Sequence, residues 1–131
     1  MTQNQAIRAY ISAMDLNRQK MNNCQTAIKI YQLLEKLRPY WDFQLQEEEK
    51  IYSAHPDYDP QTSSCALKEE TDEEIERCSA EVKAVSAALK ELSVIEVDDI
   101  DFEPIRIDTS KESLKISGED IGNLKGFVIF E

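Results

Sequence analysis

His55 is the single histidine of the chain, so any Ser-His-Asp or Cys-His pair would have to be built around it. It lies in HPDYDP, a run with the composition of a surface loop. The expectation from that composition is a solvated imidazole without a catalytic partner. Three cysteines, Cys24, Cys65 and Cys78, are widely and irregularly spaced and form no C-x-x-C pair. Cys24 and Cys78 fall on helical apolar seams, where a thiol serves as a small core residue. Cys65, in SSC, has no basic neighbour in sequence to favour its thiolate. Three reduced thiols are therefore expected, and with them a cytoplasmic protein.

Carboxylates are the other candidates. Asp57 with Asp59, and Asp98 and Asp99 with Asp101, offer oxygen ligands to a hard cation. Neither group fits the calcium loop D-x-[DN]-x-[DN]-G-x5-E: the first lacks the third acid and the glycine, and the second has Ile100 at position three. No phosphate-binding loop, no G-x-G-x-x-G and no G-x-S-x-G is present. No catalytic residue, metal or cofactor is assigned, and the chain reads as non-enzymatic.

Charge points elsewhere. The net charge is −11, made of +4 over residues 1–40 and −15 over residues 41–131. Such a surface repels nucleic-acid phosphates and suits a basic protein partner. The aromatics Tyr31, Tyr40, Trp41 and Phe43 would need a basic groove to stack bases, so helix packing is the better use for them. Two acidic runs stand out, Glu47, Glu48 and Glu49, and then Glu69, Glu70, Asp72 and Glu73. Runs of this kind are commonly solvated helix faces. If the helices that carry them lie antiparallel, both runs fall at one end and make a negative pole. That pole is the candidate partner-binding surface.

The elements that would position it are two apolar seams. Ile30, Leu34, Leu37, Trp41, Leu45 and Tyr52 keep one face of a helix expected over about residues 24–54. Pro39 interrupts that helix, and a kink that keeps the apolar phase is preferred to a break. Ile75, Cys78, Val82, Val85, Leu89 and Leu92 make a heptad seam over about 72–92, opened by the capping pair Thr71 and Glu74. Before them, Thr2 and Gln5 start a helix over about 3–14, and Asn22 or Asn23 caps the long one. Residues 53–65 are a loop, part of a connection long enough to imply function or mobility. After Ser93 the alternation of Ile105 with Ile107 and Leu114 with Ile116 predicts a hairpin pairing 104–108 with 113–117. Ser117 caps a short helical turn, and GFVIFE closes the chain as a strand.

AMDLNRQKMNNCQTAIKIYQLLEKL, QLQEEEKIYSAHPDYD, TDEEIERCSAEVKAVSAALKEL and ISGEDIGNLKGFVIFE, in that order, resemble a family of short phage and prophage proteins without an assigned activity. The resemblance implies a mobile-element origin and a small accessory protein, and carries over no site residue. The expected fold is a single α+β domain: an antiparallel long-helix hairpin over about 24–92, a short N-terminal helix, and a small C-terminal β-sheet within a β-rich tail over about 93–131. Two functions fit it. One is a non-enzymatic accessory or assembly protein that works by protein contacts and self-association. The other is an acidic nucleic-acid mimic that inhibits a host defence or DNA-binding protein. The longest apolar run is too short to cross a bilayer, and the N-terminus lacks the basic and apolar regions of a signal peptide, so neither a membrane span nor a leader is expected.

Overall fold

Four helices and four very short strands make up the chain, and the computed structural model describes residues 1–131. Helix α1 (Gln3–Asn17) starts from a complete capping box in which Thr2 accepts from the Gln5 N–H and the Gln5 side chain accepts from the Thr2 N–H. Its buried face is Gln3, Ala6, Ala9, Tyr10, Ser12, Ala13 and Leu16. The three alanines keep that face low, so a neighbouring helix can approach closely. The neighbour is α2 (Cys24–Ala54), capped by the Asn23 side chain, which accepts from the N–H groups of Gln25 and Thr26. Pro39 lies inside α2 and the helix continues through it.

Twelve buried residues form the core: Ala9, Tyr10, Ala13 and Leu16 of α1, Ile30, Leu33, Leu34 and Leu37 of α2, and Ile105, Ile107, Leu124 and Val128 of the tail. Trp41 closes one side by stacking on Tyr10, with ring centroids 5.1 Å apart. The α2 seam is thus directed at α1 and the tail. Leu45, expected to continue it, is 47% exposed.

The tail pairs in a way the alternation does not predict. Strand β3 (Ile105–Ile107) lies parallel to β4 (Val128–Phe130), with Ile105 opposite Val128 and Ile107 opposite Phe130. The connection between them carries α4 (Gly118–Asn123) and is long enough for a parallel crossover. Gly126, at φ +91°, makes the reversal just before β4. The expected 104–108 with 113–117 hairpin does not form. Leu114 and Ile116 pack against the core, but the backbone of Lys115 is occupied by a side chain: Gln19 donates to its carbonyl at 3.0 Å and accepts from its N–H at 2.7 Å. Ser117 caps α4 as expected, and Asp120 completes the box.

Helix α3 (Asp72–Ser93) buries Cys78, Val85 and Leu92, one residue in seven, and none of them belongs to the twelve-residue cluster. It begins after a miniature antiparallel hairpin, β1 (Tyr58–Asp59) with β2 (Ser64–Cys65), inside what reads in sequence as plain loop. It ends beside the start of α1, where the Gln3 N–H donates to the Ile95 carbonyl at 2.8 Å. The buried Gln3 side chain also ties α1 to the middle of α2, donating to the Tyr40 carbonyl at 2.9 Å. The fold is α+β, with a long helix, a short N-terminal helix and small sheets.

Candidate functional site

Titratable groups converge where α2 ends, the β1–β2 hairpin turns and α3 begins. Arg77, five residues into α3, stands at the centre. Its Nη1 donates to Asp57 Oδ2 at 3.0 Å, and its Nε and Nη2 donate to the two carboxylate oxygens of Glu74 at 3.0 and 2.5 Å. The pairing with Glu74 is bidentate, the geometry a planar guanidinium favours. Arg77 and then the backbone N–H of Lys68 hold the Glu74 carboxyl at about 2, well below its ordinary 4.5. Glu74 in turn raises the Arg77 pKa above its usual range. Lys68 adds a looser contact to Asp57 at 3.6 Å.

Local sequence explains half of this. Thr71 caps α3 by accepting from the Glu74 N–H at 3.2 Å, as the capping pair predicts. The reciprocal bond of a capping box is not made, because the Glu74 carboxylate turns to Arg77 and Lys68 instead. A helix start rich in acids is stabilised by the dipole, and this one recruits a cation one turn later.

His55 is corrected by the structure. It caps the end of α2 and is only 24% exposed, with Nδ1 at 2.5 Å from Glu81 Oε2. Tyr52, one turn earlier, stacks on Tyr58 with centroids 5.9 Å apart. Burial, with the nearby Glu48 carboxylate, raises the Tyr52 phenol above its usual value. The imidazole therefore links α2 to α3 and lies among groups that are already paired.

The cysteine expectation is also corrected. Cys65 and Cys78 form a disulfide with Cα atoms 5.3 Å apart, which clamps β2 to α3. The Arg77 guanidinium stands 3.7 Å from the Cys78 sulfur and 3.9 Å from that of Cys65. Cys24, expected in a core, is exposed and free. It follows the Asn23 cap on the first turn of α2, outside the buried stripe that begins at Ile30.

The seven acids picked out in sequence have a different setting. Glu47 pairs with Lys50 at 2.8 Å, and Glu48 accepts from the Gln44 amide at 2.9 Å. Glu49, Glu69, Glu70, Asp72 and Glu73 are exposed and take part in no ion pair. The acids gathered at the junction are instead Asp57, Glu74 and Glu81, each matched by a cation or an imidazole. In sequence Asp57 stands out only as an oxygen ligand beside Asp59, Glu74 only as half of a capping pair, and Glu81 not at all, because each partner lies on another element or across the loop, except Glu74 and Arg77 at i, i+3. That spacing was the one local signal.

No group of three or more His, Cys, Asp and Glu side chains is arranged to hold a metal ion. The clefts are open and polar. One of about 550 Å³ is lined by Gln5, Arg8, Asp99, Asn123 and Lys125 among others, with no histidine, cysteine or serine in its wall. No helix is long and apolar enough to cross a membrane. No protein-family model, curated protein or solved structure matches the chain.

Proposed function

We propose that this is a small non-enzymatic accessory protein of the phage or prophage type that acts through protein–protein contacts. The contact surface is an arm made of the outer half of α2 and of α3, running antiparallel. The residues that follow α2 meet the first half of α3 through Asp57–Arg77 and His55–Glu81, while the end of α3 returns to α1. The observation that carries the reading is how little of the arm is buried. From Trp41 to Ala54 no residue of α2 is fully buried, and Phe43 and Leu45 are 38% and 47% exposed. The whole chain exposes 8882 Å². A compact monomer of 15.1 kDa exposes about 7,100 Å², so the excess is roughly 1,800 Å². Helices with half-covered apolar seams and surface to spare are suited to holding another protein.

The disulfide removes the support that three free thiols lent to a cytoplasmic location, since such bonds persist mainly in oxidising surroundings. Affinity capture on the immobilised chain tests the reading, comparing the native protein with a variant carrying Leu45→Glu and Ile75→Glu. Retention of a protein partner, or of further copies, that is lost in the variant is the expected result. No retention of anything by the native chain would contradict it.

A second reading draws on the exposed, unpaired acids Glu49, Glu69, Glu70, Asp72 and Glu73, with Glu47 and Glu48 beside them. As a nucleic-acid mimic the chain would bind a basic nuclease or DNA-binding protein, and that binding would vanish as salt rises. Capture that survives high salt would favour the apolar arm over the acidic surface.

A further inference from the structure

The heptad seam of α3 is two rows, and only one of them is fully buried. Cys78, Val85 and Leu92 are buried, at 7%, 0% and 4% exposure. The companion row, Ile75, Val82 and Leu89, is less so: Ile75 is 53% exposed, and Val82 and Leu89 are of intermediate exposure. A helix that presents both rows at this spacing is patterned for two neighbours, and the chain buries only one row completely. Beside the open row, on the same flank, lie Ser79, Ser86 and Ser93, which are small and uncharged. One step further round come Asp72, Glu76, Lys83 and Lys90, all exposed and in no ion pair within the chain.

The order of those four charges is two acids, then two bases. Turned end for end, the same edge reads bases, then acids. We infer that the open row is covered by α3 of a second copy, packed antiparallel about a two-fold axis at Val82. This rests on the protein-contact reading above and names the partner. Ile75 then meets Leu89 of the other helix, and Asp72 and Glu76 lie about 3 Å along the axis on either side of its Lys90. Each contact occurs twice, as an isologous interface requires. Opposed helix dipoles favour the same orientation. Ile75 to Leu89 spans about 21 Å of helix.

Light scattering during size exclusion, at high and low protein concentration, gives the oligomeric state. The native chain is expected to approach twice 15.1 kDa at high concentration. Val82→Glu places a charge on the axis and should weaken the dimer by roughly thirtyfold or more, the scale of a central interface loss. If that variant fails to fold by circular dichroism, the exposed charges serve in its place. Lys83→Glu with Lys90→Glu makes the edge wholly acidic and should give a monomer. Adding Asp72→Lys and Glu76→Lys to the same chain should restore the dimer. A native chain that is monomeric at every concentration, or a dimer that persists in both variants, overturns the inference. A strict monomer whose arm still captures a different protein removes the second copy but leaves the protein-contact reading standing.

Discussion

One helix, α2, is held in two different ways along its length. Its inner half, to Leu37, contributes four buried aliphatic side chains to a shared apolar cluster with α1 and the tail. Its outer half, from Asp42 to Ala54, buries none, and is tied to the rest through Gln3–Gln44, His55–Glu81, the Tyr52–Tyr58 stack and the loop that follows. α3 begins in that second region and is fastened by Arg77 and by the Cys65–Cys78 disulfide. Apolar burial is cooperative, whereas ion pairs and a single cross-link act locally, so the two halves should fail separately.

The largest effect belongs to the inner half. Leu37→Ala should cost about 2–5 kcal/mol, because Leu37 is fully buried among neighbours that cannot all collapse into the space. Trp41, the only tryptophan, packs on that cluster, so its fluorescence during urea unfolding reports the loss. Next comes the cross-link. Replacing Cys65 by Ser frees a loop closed across a separation of 13 residues and should lower the stability of the outer region by about 3 kcal/mol. Proteolysis at the β1–β2 turn should accelerate while the tryptophan transition barely moves. If that transition falls as far as it does in Leu37→Ala, the two halves are one cooperative unit.

Acid should expose the ion-pair network. Glu74 has a folded pKa of about 2 against an ordinary 4.5, so its contribution is present above pH 4.5 and is lost as the pH falls from there toward 2. Proteolysis of the 60–63 turn should rise across that window in the native chain. Arg77→Met should raise it already at neutral pH and flatten the acid dependence. The smallest effect is local: Thr71→Ala removes the α3 cap and should cost about 1 kcal/mol, seen as fraying of the first turn by amide exchange.

The sequence was most legible where one short segment decides the outcome. Thr2 with Gln5, Asn23, Thr71 and Ser117 each cap the helix that their spacing predicts, because the donor and acceptor lie within three residues. The passage of α2 through Pro39 was legible too, from the apolar phase on either side. What could not be read was choice of partner. Ile105 and Ile107 alternate equally well for either neighbour, and Gln19 decides the matter by occupying Lys115 from a distant loop. The α2 seam is as suited to α3 as to α1, and three alanines on α1 let it come closer. The junction of Arg77, Asp57, His55 and Glu81 is assembled from residues 20 and 26 positions apart, beyond the reach of any spacing rule. Composition suggested a solvated loop there because it counts polar residues and cannot count the pairs they make.

Amide hydrogen exchange across protein concentration compares the two regions most directly. The slowest amides should lie in α1 and in residues 24–40 at every concentration, with α3 faster in the dilute chain and slowing as concentration rises. Exchange in α3 as slow as in α1 at all concentrations would contradict both the separate fastening of the two halves and the open row.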